Sequence, residues 1–248
     1  MRTAAETGTL WITRPVAAGT AERRTERTGA GMRRASTWDG VTRRETYKEH
    51  ALQVRDRLAD AARDGDWAAV FAVLDEHPEW INGSRVGGTS GYTPLHQAAW
   101  HGAAAEVVER LVAMGAWRTL RTAAGERAAD IAARKGHRHL AEPLTPVIRH
   151  PVPPEALQAI ERHFHAVIHE RAGELVARHG LRLPLLEPLT EQEDPSCWFR
   201  VPGMYGGFAY RLQGVELVVE SWCRVVGGSG QRHVIRPDGA RLVSEGFV

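Results

Sequence analysis

The sequence predicts a mainly α, helical repeat solenoid in the N-terminal half, followed by a small α+β domain made of one long helix and an antiparallel β meander. Two observations lead to this prediction. From residue 43 onward, apolar residues recur every three or four positions, which is the period of amphipathic helices. After residue 196, apolar and polar residues alternate, which is typical of strands. The predicted organisation is a disordered arm at 1–36, a repeat module at 37–146 and the α+β domain at 151–248.

Composition and charge are those of an ordinary globular chain. Lys and Arg number 32 against 30 Asp and Glu, a formal net charge of +2, and this balance favours neither a nucleic-acid nor a membrane partner. No apolar run reaches the roughly 20 residues of a transmembrane helix, and the N-terminal residues lack the apolar core of a secretory signal. Two cysteines are too few for a disulfide framework. We therefore expect a cytoplasmic, bacterial protein without a metal or other cofactor.

Two helices are predicted before the most regular part of the sequence. Apolar residues on one stripe define the first, which runs from residue 43 to a stop at Gly65. A shorter helix follows and ends at Pro78. The next residues, INGSRVGGTSGYT, are dense in Gly, Ser and Asn, so we expect turns there.

The segment GYTPLHQAAWHG, residues 91–102, predicts a short capped helix. Thr93 can act as its N-cap, and Pro94 suits the first helical position because no N–H is needed there. His96 can reach back to Thr93 as the glutamate of a capping box does. Gly102 ends this helix after about two turns, and a second amphipathic helix follows.

Three segments of the sequence repeat the same pattern. LADAARDG, LHQAAWHG and ADIAARKG align, and their final glycines are 37 and then 34 residues apart. The segment GYTPLHQAAWHGAAAEVVERLVAMGA, residues 91–116, resembles the ankyrin repeat family, because TPLH, AA and GA all fall at that family's offsets. The resemblance covers about residues 55–145. The two flanking copies lack TPLH, as atypical terminal repeats can.

The ankyrin resemblance implies a non-enzymatic protein–protein interaction module whose partner is a protein of unknown identity. Members of the family usually contact partners through the turn tips and the inner face of each first helix. In the best repeat those positions are Tyr92, Gln97, Trp100 and His101. In the flanking copies they are Asp60, Arg63, Asp64, Glu126, Ile131, Arg134 and Lys135. An equally good interpretation is that Trp100 or Trp117 packs against a neighbouring repeat or the second domain. His96 is assigned to structure.

The second half of the chain predicts a helix and then strands. PVIRHPVPPE, residues 146–155, is a proline-rich break and the predicted domain boundary. A long amphipathic helix is expected from Pro154 to about His179, where Gly180 ends it. One face of a sheet should pack on this helix. The expected strands are at about 197–202, 207–213, 215–226, 231–236 and 240–245.

An alternative function rests on polar residues of the predicted sheet. Residues on the longest strand are expected to share one face, and the set predicted for a pocket is Glu216, Glu220, Trp222 and Arg224, with Tyr210 or His233 nearby. Paired carboxylates can perform general acid–base catalysis. The domain would then bind a small molecule or act as a hydrolytic enzyme, and the repeats would recruit its substrate. Exposed charges paired across the sheet are the commoner outcome for such strands.

Histidines on the long helix have one feature of a metal site. His165 and His169 are four residues apart, a spacing used by helical zinc sites. However, no glutamate lies between them as in HExxH, His163 points to the other side of the helix, and no third ligand is identifiable. We therefore expect a polar helix flank rather than a metal site.

Two further features of the second half have ordinary structural interpretations. Cys197 and Cys223 could face each other across two strands, but two small core residues are expected, because free cysteines are usually buried. The glycine-rich segment VGGSGQRH, residues 226–233, could cradle a phosphate. It lacks the strand and helix context of a P-loop, so we expect a hairpin loop.

Overall fold

The order of helices and strands follows the predicted pattern from helices to sheet. The computed structural model describes residues 36–224 and 228–246. The predicted disordered arm, residues 1–36, lies outside the described residues except for Ser36. In chain order the elements are β1 (Ser36–Trp38), α1 (Glu49–Asp64), α2 (Trp67–Glu76), α3 (Pro94–His101), α4 (Ala105–Ala113), α5 (Ala128–Lys135), α6 (Pro154–His179), β2 (Ser196–Val201), β3 (Gly206–Gln213), β4 (Glu216–Cys223), β5 (Ser229–Arg236) and β6 (Gly239–Gly246).

The helices α1 to α5 pack in sequence around small residues. α1 contacts α2 and α3, and α3 contacts α4 and α5, so the first helices of the three copies are neighbours. Ala98 and Ala99 of α3 are fully buried, and their small side chains allow α1 and α5 to approach closely. α1 begins six residues later than predicted, because Arg44–Thr46 form a 3₁₀ turn instead.

The capped helix α3 has the predicted hydrogen bonds. The amide of Thr93 donates to Nδ1 of His96 over 3.3 Å, and the Thr93 hydroxyl lies 2.8 Å from the same nitrogen. The opposite ring nitrogen, Nε2, is 3.1 Å from the carbonyl of Leu120, to which it donates. Burial lowers the pKa of His96 to about 4. His96 is therefore a neutral, buried bridge between α3 and the segment that follows α4.

Acidification is expected to destabilise the fold through His96. As pH falls below the unfolded-state pKa of 6.5, the unfolded chain binds a proton that the folded chain excludes until about pH 4. Stability is thus lost between about pH 6.5 and 4, by about 3 kcal/mol in total. Urea unfolding measures how much the free energy of unfolding falls between pH 7 and pH 4. In His96→Gln this fall should be about 3 kcal/mol smaller than in the unmodified chain, because glutamine does not titrate. Equal losses in the two proteins would contradict this role.

Five antiparallel strands form the predicted meander, and one helix packs on it. The sheet order is β1-β2-β3-β4-β5-β6, and β2 to β6 are antiparallel to their neighbours. β4 ends at Cys223, and Arg224 of the predicted strand is not part of it. The remaining two positions of that prediction, 225 and 226, lie outside the described residues. α6 packs against the sheet, and its backbone departs from helical geometry at Ala172, where φ is −143° and ψ is 18°. The predicted single helix is therefore interrupted at that residue.

The strand β1 corrects the predicted position of residues 36–38, which were assigned to the arm and the repeat module. They pair in parallel with β2, with Ser36 opposite Cys197. Trp38 is only 3 % exposed, its ring stacks on Trp117 at a centroid distance of 6.2 Å, and its Nε1 donates to the carbonyl of Arg182 over 2.9 Å. This segment therefore belongs to the sheet.

Buried apolar side chains form two clusters. One lies among α1 to α5, and the other lies between α6 and the sheet. Trp117 and Leu120, which follow α4, belong to the second cluster together with Trp38. Ala35–Val248 form one compact unit by their contacts, and the predicted domain boundary at residues 146–155 stays a prediction. Within the described ranges, no helix combines the length and apolar character needed to cross a bilayer.

Candidate functional site

An exposed tryptophan lies at the centre of the predicted partner-binding residues. Trp100, at the C-terminal end of α3, is 39 % exposed. The ammonium of Lys135 on α5 lies 3.5 Å from the centroid of its ring, and the Tyr92 ring meets it edge-on at 6.2 Å. A cation over an indole face is an attractive contact that holds both groups in place. We call Tyr92, Trp100 and Lys135 the aromatic–basic surface.

The other charged residues of the predicted set form ion pairs with one another. Arg134 binds Glu126 with two hydrogen bonds of 2.8 and 3.1 Å. Arg63 pairs with Asp64 at 2.9 Å and with Asp60 at 3.0 Å. Lys135 forms no ion pair with any residue that the structure describes. Its charge remains available to a partner beside the exposed Trp100 ring.

A cleft of about 160 Å³ borders this surface. It lies between α1, α3 and the loop at residues 83–90, and both Tyr92 and Gln97 line it. Its floor is formed by Leu58, Ala59 and Ala62 of α1. The cleft is too small for a drug-sized ligand, which needs about 300 Å³ or more. It can accept one side chain of a partner.

Two of the predicted contact residues have structural roles. Ile131 was predicted to face a partner, but it is fully buried, because it continues the apolar stripe of Ala128 and Ala132 on α5. That prediction is wrong. His101 is exposed, but its Nε2 donates to the carbonyl of Arg63 over 2.7 Å and so joins α3 to α1.

The same kind of bridge recurs at the next repeat and was not predicted. His137, just after α5, has its Nε2 3.3 Å from the carbonyl of Trp100. His139 likewise lies 3.0 Å from the carbonyl of Ala103. Each histidine satisfies a carbonyl in the last turn of α3 or just after it, which has no partner within the helix. His101 and His137 stand at different distances from their alanine pairs, so the aligned copies gave no sequence signal for this bridge.

The structure separates the six residues of the predicted alternative pocket, which are Tyr210, Glu216, Glu220, Trp222, Arg224 and His233. Both glutamates and the tryptophan lie on the outer face of β4. Tyr210 and His233 lie on the opposite face, because each is paired with Val219, a buried residue that faces α6. Arg224 follows the end of β4. These residues therefore do not line one pocket.

The charges on the outer face form ion pairs across the sheet, which is the outcome expected for exposed strand charges. Arg236 on β5 binds Glu216 at 2.5 Å, and Arg232 lies 3.7 Å from Glu220. Trp222 stacks on Trp198 with a centroid distance of 4.6 Å. The outer face is thus a set of exposed ion pairs beside an aromatic pair.

The histidines and cysteines of the second half also have structural surroundings. His165 has its Nε2 2.8 Å from the carbonyl of Pro184, and within the described ranges no group of three His, Cys, Asp or Glu is arranged to hold a metal. Cys197 and Cys223 are free thiols, with β3 between their strands. Burial raises the pKa of the Cys197 thiol to about 11. Cys197 is the small core residue that was predicted, whereas Cys223 is only partly buried against the same core.

Comparison with known proteins identifies one part of the chain. A search of the curated proteins finds no match. A family model matches residues 90–123, and its description is ankyrin repeat. The matched residues contain α3, α4 and the Tyr92 and Trp100 side chains. The segment that resembled this family by its TPLH, AA and GA elements is an ankyrin repeat, and the chain carries it at residues 90–123.

Proposed function

We propose that this protein is a non-enzymatic interaction module that binds a protein partner through the aromatic–basic surface. The observation that supports this most is the exposed Trp100 ring held between Tyr92 and Lys135. Rigid aromatic side chains lose little entropy on binding, and Trp, Tyr and Arg dominate interface hot spots. The uncompensated charge of Lys135 favours a partner segment with a carboxylate next to an apolar side chain.

We also infer that α1 to α5 form a short ankyrin-type solenoid. Its central repeat is the matched one, and its flanking copies are the atypical ends that stacked repeats require. Each first helix ends at a glycine with a left-handed backbone, with φ values of 75° at Gly65, 62° at Gly102 and 80° at Gly136. The repeated geometry supports a common origin of the three copies.

The separation of the predicted pocket residues supports the non-enzymatic assignment. Catalysis needs convergent groups in a site that excludes water. Glu216 and Glu220 are instead held in exposed ion pairs on the open face of the sheet. The alternative of a hydrolytic site at these glutamates therefore has less support than the interaction surface.

Partner capture with surface variants tests the proposal. The full chain is used as bait, bound proteins are identified by mass spectrometry, and the affinity for the purified partner is measured by calorimetry. We expect Tyr92→Ala with Trp100→Ala to weaken binding by tenfold or more, roughly the effect of losing one hot spot. His101 is left unchanged because it joins α3 to α1.

The matched control is Trp222→Ala, which removes a partly exposed tryptophan from the outer face of the sheet. This variant should bind the partner as the unmodified chain does. Equal affinity of the unmodified chain and the Tyr92/Trp100 variant would show that the aromatic–basic surface is not the binding site.

A further inference from the structure

A buried polar patch lies on the inner face of the sheet, where α6 covers β4 and β5. Ser221 on β4 is 2 % exposed and His233 on β5 is 8 % exposed. Ser221 pairs with Gln231, two residues before His233 on the same strand. Ser221 and His233 are therefore diagonal neighbours on one face, with Cβ atoms about 7 Å apart. A small group placed between them can contact both.

Side-chain atoms of this patch have no hydrogen-bond partner. In the described part of the chain, the buried side-chain atoms without a partner are Ser221 Oγ, His233 Nδ1, Arg171 Nε and one atom of Arg127. Ser221 Oγ and His233 Nδ1 lie in the patch, and the charge of Arg171 is close enough to act on His233. Buried polar groups in native structures nearly always have a protein or bound partner, so these unpartnered atoms are a place where a bound water or ion can supply the missing hydrogen bonds.

The third residue, Arg171, brings a positive charge into the patch from α6. One of its terminal nitrogens donates to the Ser229 carbonyl over 2.6 Å and to the Ser229 hydroxyl over 3.0 Å. Among the described residues no carboxylate forms an ion pair with it, and Glu245 acts on it only from a distance. Loss of solvent lowers the pKa of Arg171. A partly desolvated cation without a counter-ion favours an anionic ligand.

We propose that Arg171, Ser221 and His233 bind a small oxyanion, the carboxylate or phosphate group of a small-molecule ligand. The Nε–H of Arg171 and the hydroxyl of Ser221 donate to its oxygens, and Nδ1 of His233 supplies a third polar contact. Hydrogen bonds from a guanidinium to an oxyanion are among the strongest in proteins. This site is on the sheet, away from the aromatic–basic surface, and does not depend on the proposed partner binding.

An NMR titration of the full chain tests the site. Sodium acetate and sodium phosphate are the probes, and sodium chloride at the same ionic strength is the reference. We expect saturable shifts of the Arg171 Nε–H and His233 ring signals with at least one probe. Ser221→Ala should weaken the affinity for that probe about fivefold, the usual effect of one hydrogen bond, and Arg171→Gln should remove saturation.

The matched control is Arg232→Gln, which changes the residue next to His233 on the opposite face of β5. It should bind the probe as the unmodified chain does. Saturation by acetate alone identifies a carboxylate site, and saturation by phosphate alone identifies a phosphate site. Linear shifts with both probes, or an affinity unchanged in Ser221→Ala, would overturn the proposal. Ser221→Ala removes one unpaired hydroxyl, so it decides the question even if Arg171→Gln does not fold.

Discussion

Replacing Arg55 by methionine is expected to lower the free energy of unfolding by about 3–5 kcal/mol. Arg55 is 5 % exposed, and its guanidinium forms an ion pair with Asp39. It also donates to the Tyr47 hydroxyl over 2.6 Å and to the Ser84 carbonyl over 3.0 Å. Methionine fills much of the volume but removes the donor of these three hydrogen bonds, and it leaves the partly buried Asp39 carboxylate without its counter-ion.

Equilibrium unfolding in urea measures this effect. The matched control is Arg63→Met. Arg63 is likewise an arginine in ion pairs with aspartate, here Asp60 and Asp64, but it lies at an exposed position. Exposed ion pairs contribute little, so the control should lose much less stability than Arg55→Met. Similar losses in the two variants would show that burial of the Arg55 network does not determine its contribution.

Replacing Trp38 by alanine is expected to cost about 3–5 kcal/mol, the usual range for truncating a buried large aromatic. The ring stacks on Trp117 from the ankyrin repeat, and the guanidinium of Arg182 lies over it at 5.0 Å. The Nε1 hydrogen bond to the Arg182 carbonyl is lost as well. The substitution therefore removes a side chain on which the ankyrin repeat and the sheet both pack.

Urea unfolding and amide hydrogen exchange check this prediction. Trp100→Ala is the control, since a tryptophan that is 39 % exposed should contribute about 1 kcal/mol or less to folding. Exchange should become faster at β1 and β2 in Trp38→Ala. A stability loss no larger than that of Trp100→Ala would contradict the assigned role of Trp38.

Local patterns explain how much of the fold the sequence could predict. The helix α3 was predictable because Thr93, Pro94 and Gly102 each have a defined role within twelve residues, and β2 to β6 were predictable from alternation. β1 was not, since three residues are too few for a period and their partner, β2, lies about 160 positions later in the chain. Non-local pairing has no local signal.

The same distinction applies to the candidate sites. The exposure of Trp100 was one of two equally good interpretations, and Ile131 was misplaced because the alignment of copies ignored its apolar character. The prediction of a pocket around Glu220 was wrong because strand register decides which residues of different strands share a face. The sequence of a single strand does not determine that register. No sequence pattern indicated a binding role for Arg171, since a single arginine on an amphipathic helix is ordinary.

The pairing of β1 with β2 also sets the order in which the chain can fold during synthesis. After Ser36 leaves the ribosome, about 160 more residues must be added before Cys197 is available, which takes roughly 8–32 s at 5–20 residues per second. The helices α1 to α5 make contacts close in sequence and can pack during that time. Trp38 and Trp117 have no sheet to pack on until β2 is synthesised, so the nascent chain exposes two large aromatic rings during this time. A chaperone that binds exposed aromatic segments would find its target in this interval.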